Sequence, residues 1–459
     1  MSASDGEKLR NQFPLVRSLC VVAVVFFVGH PSGVLGQEQT GGSIQVASSQ
    51  QEHTHSEANT SLQDLLNEAD QNNPQIQAAR QGWQAAKQVP SQVSTLPDPQ
   101  FTVQQVNVGS PRPFAGYTNS DFAYFGLGVS QDLPYPGKLR LRGEIAKRDS
   151  DVVQQQSESV RRSVLAGIKS AYFQLAYLSK TLGILESDGQ LLQQVEKAAE
   201  ARYRSGMGNQ HDLLQAQLEQ TKLLREITMH HLDVAKVQAQ LKQLVNRSQS
   251  SPDIVPAELP ETPLRYDFDE LLSAAKAENP DISAAQKMID KQSLQVDLAH
   301  KDFYPDFNVQ YMWQRTDPAQ FRAYYMLSVT ARVPIYRSRK QSPELAQAEA
   351  ELSRTRSESE AQSQQVAFEL RTAFDTAQKT AELLTIYRDG LLPQARAEFQ
   401  AGIAAYQNNR QDFQALLTSF LDVLHLDEEY WQSFAERETA LAQLEKLTGL
   451  SLREEGTKK

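Results

Sequence analysis

Residues 279–309 read NPDISAAQKMIDKQSLQVDLAHKDFYPDFNV, and residues 73–103 read NPQIQAARQGWQAAKQVPSQVSTLPDPQFTV. The two stretches align without a gap at an offset of 206 residues, and a Leu-Leu pair precedes each of them. The residues that they share are, in the second copy, Asn279, Pro280, Ile282, Ala284, Ala285, Pro305, Phe307 and Val309. A period this long exceeds the roughly 20 to 50 residues of solenoid repeats. We therefore expect one duplicated unit whose two halves pack together.

The correspondence continues beyond these stretches. At an offset of 200 residues Leu127, Val129, Leu133 and Pro134 match Leu327, Val329, Val333 and Pro334, and at 203 residues Tyr203, Leu213 and Leu214 match Tyr406, Leu416 and Leu417. The sequence thus predicts a first repeat over 61–247, a proline-rich linker over 248–263, a second repeat over 264–450 and a polar tail over 451–459.

The net charge of the chain excludes one class of partner. A formal net charge of -10 argues against a nucleic-acid partner, which would require a basic surface.

The N-terminal residues predict that the protein is secreted from the cytoplasm. Residues 1–36 have the basic start, apolar run and small residues of a secretory signal peptide. The single cysteine, Cys20, lies in that run without the small residue expected before a lipidated cysteine, so cleavage is favoured over lipidation. Residues 37–60 are polar and predict a disordered linker.

Four stretches alternate apolar and polar residues, which predicts strands at about 99–108, 122–133, 305–313 and 324–333. Their length suits membrane-spanning strands, and Tyr311, Trp313, Tyr324 and Tyr325 suit an interfacial girdle. The alternative is an amphipathic sheet in a soluble domain. We favour the membrane, since no other sheet is predicted that could cover the apolar face.

Long amphipathic helices follow each pair of strands. Apolar residues at helical spacing predict long helices over 138–203 and 343–406, and return helices over 212–246 and 412–447. About 65 helical residues span about 100 Å, which is far longer than a compact domain. Each long helix therefore needs equally long neighbours to bury its apolar stripe.

This order of elements resembles the TolC family of outer-membrane efflux proteins over essentially the whole chain after the signal peptide. The resemblance implies a mainly α-helical protein with membrane β-structure, in which the four strands of each chain contribute to a trimeric twelve-stranded barrel and the helices to a periplasmic tunnel. It also implies a homotrimer in the outer membrane lipid, working with a periplasmic adaptor and an inner-membrane RND pump. The pattern itself requires association, because four strands are fewer than the eight of the smallest membrane barrels.

Two shorter stretches resemble the family branch that serves cobalt-zinc-cadmium pumps. They are Leu96-Pro97-Asp98-Pro99 and the run from Ser130 to Arg140 with sequence SQDLPYPGKLR. Both are strand-to-helix joints, where proline and glycine also have a structural reason. We expect heavy-metal cations as the exported solute, and keep a multidrug or protein-secretion channel of the same family as the alternative.

The resemblance places the periplasmic tip, where adaptor and pump would dock and where the resting channel would close, at the turns between long and return helices. The tip residues are Tyr203, Gly206 and Asp212 in the first repeat and Tyr406, Asn409 and Asp412 in the second. Asp212 is either near the constriction or a helix N-cap, and the two roles are compatible.

No enzymatic motif accompanies this pattern. The sequence has no P-loop, dinucleotide fingerprint, nucleophile elbow or HExxH, so we expect neither an enzyme nor a cofactor. His230 and His231 are adjacent and would point to different faces of a helix, so no preformed metal site is expected there. The alternative from another class is a periplasmic coiled-coil adaptor, which would lack the duplicated amphipathic hairpin.

Overall fold

The computed structural model describes residues 60–106, 123–257, 261–315, 323–408 and 410–452. The predicted signal peptide over 1–36 lies outside the described residues, as do residues 37–59 of the predicted linker, most of the loop between the first two strands, and Asn409. Thr60, the last residue of that linker, donates its N–H to the Val255 carbonyl at 2.9 Å. The prediction of disorder is therefore wrong for Thr60.

The described residues of the first repeat form five helices and one pair of strands. Its elements are α1 (Leu62–Asn72), α2 (Pro74–Ala86), α3 (Val89–Ser94), β1 (Gln100–Val106), β2 (Tyr124–Leu133), α4 (Lys138–Arg204) and α5 (Gln210–Leu244). The second repeat follows the same order with α6 (Phe268–Glu278), α7 (Pro280–Lys301), β3 (Asp306–Arg315), β4 (Tyr324–Arg332), α8 (Gln341–Ile386), a π-helical turn (Tyr387–Leu391), α9 (Leu392–Gln407) and α10 (Phe413–Thr448). The mainly helical fold with two hairpins is as predicted.

The asparagine of the repeated Asn-Pro pair connects the first helices of each repeat to its last helix. The Asn73 side-chain oxygen accepts the N–H groups of Gln75 and Ile76, which caps α2, while its Nδ2 donates to the carbonyl of Leu244 at the end of α5 at 2.7 Å. Proline suits the first helical turn because it has no N–H to satisfy there. One buried side chain thus starts one helix and satisfies the end of another.

Asn279 makes the same contacts in the second repeat. It caps α7 through the N–H groups of Asp281 and Ile282 and donates Nδ2 to the Leu447 carbonyl at 3.0 Å. Both asparagines are nearly fully buried, at 3% and 2% exposure for Asn73 and Asn279. The stretch that reveals the duplication is therefore also the stretch that ties the two ends of each repeat together.

Two helical stretches are interrupted. Between α2 and α3 the helix breaks at Lys87 and Gln88, because Pro90 has no N–H and the chain restarts with proline in the first turn of α3. The helix expected over 343–406 is divided by the π-helical turn at Tyr387–Leu391. Pro393 cannot bond to the carbonyl four residues earlier and its ring would collide with it, and the wider turn just before it relieves that conflict.

The four strands form one antiparallel sheet in the order β1-β2-β3-β4. The β2–β3 pairing joins the two repeats, with Val129 opposite Tyr311 and Leu127 opposite Trp313. Directly opposite residues share a face, so the odd-numbered residues of all four strands form a single apolar face. Phe101 and Leu327 on that face are 82% and 69% exposed.

Among the described residues, the helices bury three separate hydrophobic clusters. The first joins α1, α2, α4, α5 and α10, and the third joins α6, α8 and α10. In these two clusters Leu65 and Leu271 are equivalent and both are completely buried. The second cluster lies toward the turns between long and return helices, among α4, α5, α9 and α10. Its packing brings the turns of the two repeats together.

Candidate functional site

The turn of the first repeat is a Schellman motif. The N–H of Gly206 donates to the Tyr203 carbonyl at 3.0 Å, and the N–H of Met207 donates to the Arg202 carbonyl at 2.9 Å. Gly206 occupies the left-handed position with φ of 75°. A Cβ on Gly206 would meet no atom within 4 Å, so only the backbone conformation selects glycine here.

The start of α5 corrects one expectation. Its N-cap is Asn209, and Asp212 lies in the first helical turn, so the expected N-cap role of Asp212 is wrong. Asp212 is half-buried. A carboxylate in the first turn still interacts favourably with the positive end of the helix dipole.

The return helix of the second repeat starts at the equivalent position. Asp412 is the N-cap of α10 and its Oδ1 accepts the N–H of Ala415 at 2.8 Å. Asp412 and Asn209 are 203 residues apart, the same offset that relates Tyr203 to Tyr406. Asn409, which takes the place of a turn glycine in the sequence, lies outside the described residues.

The two turns are joined through Arg202 and Tyr406. The guanidinium of Arg202 lies 4.4 Å from the centroid of the Tyr406 ring, and its Nη1 donates to the Tyr406 carbonyl at 2.5 Å. Its Nη2 donates to the Met207 carbonyl within its own turn at 3.2 Å. A cation over an aromatic face and a charge-assisted hydrogen bond reinforce each other. Arg202 therefore fixes the first turn against the second.

The two equivalent tyrosines have different surroundings. Tyr203 is 44% exposed, whereas Tyr406 is 2% exposed and packs edge-on against Phe413 at 5.8 Å between ring centroids. Burial, and next the negative charge of Asp212, raise the pKa of the Tyr406 hydroxyl, while Arg202 opposes the shift. Within the described part of the chain this hydroxyl has no hydrogen-bond partner.

The turns line an open depression of about 560 Å³. Both repeats line it, and its charged lining includes Arg202, Asp212, Arg410 and Asp412. Gln215 and Gln414 also line it, and their side chains are hydrogen-bonded across the repeats. The structure thus brings Gly206, Asp212, Tyr406 and Asp412 into one tip and leaves Tyr203 on its surface.

Arg202 and Gly208 are site residues that the sequence reading missed. A Cβ on Gly208 would lie 3.0 Å from the Cβ of Arg202 and 3.1 Å from the Tyr203 nitrogen, so a larger residue here would require the turn to shift by a few tenths of an ångström. The signal for Gly208 is its place two residues after Gly206. Arg202 has no such signal, because a basic residue in the last turn of a helix is ordinary.

The two stretches that resemble the metal branch lie together where strands meet helices. Gln131 donates its side-chain N–H to the Pro97 carbonyl at 2.7 Å. Lys138 is only 3% exposed and its Nζ lies 3.0 Å from carboxylate oxygens of both Asp302 and Asp306. Asp306 also accepts the N–H of Tyr135 at 2.8 Å. These residues have structural partners that account for their presence.

A second polar cluster lies along the helices. Asp427 on α10 pairs with Arg396 on α9 at 2.7 Å, and Asp188 on α4 lies beside them. Burial, and then the negative charge of Asp427, raise the pKa of Asp188 to about 6. The Oδ2 atom of Asp188 has no hydrogen-bond partner in the described ranges. Ionisation of the Asp188 carboxyl therefore destabilises the packed helices around it.

The described residues contain no group of three or more histidine, cysteine or acidic side chains able to hold a metal ion. None of the helices in this part of the chain combines sufficient length with sufficient hydrophobicity to span a bilayer.

Comparisons with known proteins agree with this architecture. A family model described as "Outer membrane efflux protein" matches residues 65–247 and 271–449. A similar relative is the putative multidrug resistance outer membrane protein MdtQ of Escherichia coli strain K12. It is 27% identical over 385 residues, which cover 75% of this chain and 77% of that protein.

Solved structures of low identity have the same fold. CusC superposes with a TM-score of 0.73 at 17% identity, covering 86% of this chain and 93% of that one. VceC from Vibrio cholerae superposes with a TM-score of 0.72 at 17% identity, covering 85% and 97%. The two ranges that the family model matches lie on either side of the linker, one in each repeat.

Proposed function

This chain belongs to the outer membrane efflux protein family and is an outer-membrane efflux channel, and from this premise we propose that it works as a homotrimer whose strands close one twelve-stranded barrel. The alternative of a periplasmic adaptor is wrong. The protein acts as a passive conduit from the periplasm to the exterior, and it needs neither a catalytic residue nor a cofactor.

The observation that carries the trimer is the sheet. Its four strands present one apolar face, on which Phe101, Val103, Leu327 and Val329 are all more than 60% exposed. Both edge strands, β1 and β4, have only one partner among the described strands. Exposed strand edges associate, and in lipid each unpaired backbone group costs several kcal/mol. Three copies supply twelve strands, which is enough to close a barrel.

We assign the docking of a periplasmic adaptor and an inner-membrane RND pump to the tip around Gly206, Asp212, Tyr406 and Asp412. The support for this assignment is geometric. The tip lies at the ends of α4 and α9, which are the ends of the long helices farthest from the sheet. The Arg202–Tyr406 contact holds the two turns together. Opening of the channel would separate these turns, so the same contact is the proposed gate.

For the solute we propose heavy-metal cations. The net charge of -10 supports cations, because a negative field lowers the barrier for them without fixed ligands. The stretches at Leu96–Pro99 and Ser130–Arg140 support the metal branch through their resemblance alone. A second candidate, hydrophobic drugs, is favoured by the relatives that are named for multidrug resistance and by the structural partners of Gln131 and Lys138.

Growth inhibition decides between the two solutes. Wild type and a deletion strain are compared side by side on zinc, cobalt, cadmium, copper and silver and on hydrophobic drugs. Heavy-metal export predicts a greater loss of tolerance to metals than to drugs. Sensitisation to drugs alone would overturn the metal assignment and leave the efflux channel in place.

A further inference from the structure

The turn that connects β4 to α8 concentrates positive charge in a chain whose net charge is -10. Residues 335–340 read IYRSRK, and we call them the basic turn. Its three bases, Arg337, Arg339 and Lys340, are all exposed. No acidic residue occurs from 333 to 343. The basic turn therefore presents three positive charges at one end of the sheet.

The backbone holds the basic turn in a compact conformation. The N–H of Lys340 donates to the Tyr336 carbonyl at 2.9 Å, and the N–H of Ser342 donates to the Arg337 carbonyl at 2.8 Å. The Nε of Arg337 donates to the Pro334 carbonyl at 3.3 Å. These bonds fix the backbone that carries the three bases, so a ligand would not have to order this segment in order to bind it.

The charges of the basic turn are not neutralised by its neighbours. Among the described residues, none of its three basic side chains forms an ion pair. Asp302 and Asp306 line the same depression as Lys340, but both already pair with Lys138 at 3.0 Å. The third carboxylate of that depression belongs to Glu344, one turn into α8. Three bases and one unpaired carboxylate leave a net positive charge for an anionic ligand.

The length of β4 places the basic turn at the membrane surface. The strand has nine residues, which span about 30 Å at roughly 3.3 Å per residue. A tilt of about 35–45° reduces this span to about 21–25 Å across the bilayer, which matches the apolar band of membrane barrels, about 25 Å tall. The long helices extend into the periplasm, so the basic turn lies at the headgroups of the periplasmic leaflet.

Two further side chains of the basic turn suit this position. Ile335 and Tyr336 are 72% and 69% exposed. Tyrosine is enriched at membrane–water interfaces, because its ring contacts apolar groups while its hydroxyl stays hydrated. The equivalent turn of the first repeat is used differently, since Tyr135 stacks on Tyr304 at 4.5 Å and Lys138 is buried. The second repeat thus leaves free the side chains that the first uses for packing.

We propose that the basic turn binds the headgroup of an anionic phospholipid. The phosphate accepts charge-assisted hydrogen bonds from Arg337, Arg339 and Lys340. The net negative charge of such a headgroup adds an attraction that a zwitterionic headgroup lacks. Ile335 and Tyr336 contact the acyl chains, which a free phosphate does not have. The inference rests on the proposed function, because it requires β4 to span the membrane.

Native mass spectrometry of the purified protein tests this site, because one spectrum gives both the number of bound lipids and the protein mass. The probes are phosphatidylglycerol and phosphatidylcholine with the same acyl chains, and glycerol 3-phosphate as a headgroup without chains. The test variant is Arg337→Gln with Arg339→Gln. A second variant, Arg337→Lys with Arg339→Lys, keeps the charge.

The matched control removes two positive charges elsewhere. It is Lys276→Gln with Arg356→Gln, two exposed helical positions whose side chains form no ion pair in the described part of the chain. Arg356 lies about 22 Å along α8 from the start of that helix, beyond the reach of the headgroups.

Wild type should bind phosphatidylglycerol at least about ten-fold more tightly than phosphatidylcholine. Each base near the membrane surface strengthens binding of an anionic lipid about five-fold, so the test variant should lose about 25-fold in affinity for phosphatidylglycerol. The control and the lysine variant should stay within about three-fold of wild type.

Equal binding of the two lipids by wild type, or equal losses in the test variant and the control, would overturn the inference. Glycerol 3-phosphate bound as tightly as phosphatidylglycerol would also overturn it, because the ligand would then be a free phosphate. A particle with the mass of one chain would contradict the proposed trimer instead, and the ratio of the two lipid affinities on that particle would still decide the inference.

Discussion

Replacement of Asn279 tests why the duplicated stretch carries an Asn-Pro pair. In Asn279→Ala the cap of α7 is lost, which costs about 0.5–2 kcal/mol. The Leu447 carbonyl also loses the side-chain donor that lies 3.0 Å away in a buried site, which adds about 1–3 kcal/mol. Because Asn279 is 2% exposed, water cannot readily replace either contact. We expect a total loss of about 2–4 kcal/mol in the stability of the helical region.

Asn279→Asp separates the two roles of this side chain. Aspartate caps a helix as well as asparagine does, but it cannot donate to Leu447 and brings a negative charge to the carbonyl end of α10. Asn279→Asp should therefore destabilise the helical region at least as much as Asn279→Ala does. Asp267→Asn is the control, because Asp267 is the exposed N-cap of α6 and its side chain only accepts from Glu270. This exchange should be nearly neutral.

The assay is thermal unfolding of the detergent-solubilised protein followed by circular dichroism. The expected order of transition temperatures places wild type and Asp267→Asn together and both Asn279 variants well below them. An Asn279→Asp variant as stable as wild type would show that the contact with the Leu447 carbonyl contributes nothing to stability.

Three further predictions concern the tip, the sheet and the helical cluster. Gly206→Val should impair export while the trimer stays intact, since a left-handed conformation costs an L-residue about 1–2 kcal/mol, whereas Gly206→Asn should export normally; equal growth of both variants on the exported solute would place the gate elsewhere. Leu327→Arg should cost about 2–4 kcal/mol on the lipid face and reduce the trimer seen in outer-membrane fractions, and equal recovery of Ser328→Arg and Leu327→Arg would contradict the assigned faces. The pKa of Asp188 is raised to about 6, so its ionisation weakens the fold as pH rises from about 4 through 6; Asp188→Asn should remove that fall and stabilise by about 1–3 kcal/mol at pH 8, and parallel melting curves of variant and wild type across pH 5 to 8 would count against it.

The duplication could be predicted from the sequence, and so could the strands and helices whose apolar residues recur at regular spacing. Alternation located the strands, and helical spacing located α4, α5 and α10 to within a few residues, because each pattern reflects which face of one element is buried. The unpredicted features depend on contacts between elements that are distant in sequence. Lys138 reads as an ordinary surface lysine, and its partner Asp306 is 168 residues away.

The tip shows the same limit. Tyr203 and Tyr406 occupy equivalent positions in the repeat, yet one is 44% and the other 2% exposed. The difference arises because Arg202 and Phe413 cover only the second tyrosine. Sequence equivalence therefore located the turn but could not say which copy would be packed inside it.

Trimeric assembly is tested most directly by the protein mass of the detergent-solubilised particle, measured by light scattering with the detergent contribution subtracted. A trimeric channel predicts the mass of three chains at every protein concentration above the limit of detection. A stable particle with the mass of one chain would exclude the trimeric barrel, because a single four-stranded sheet cannot close a barrel by itself.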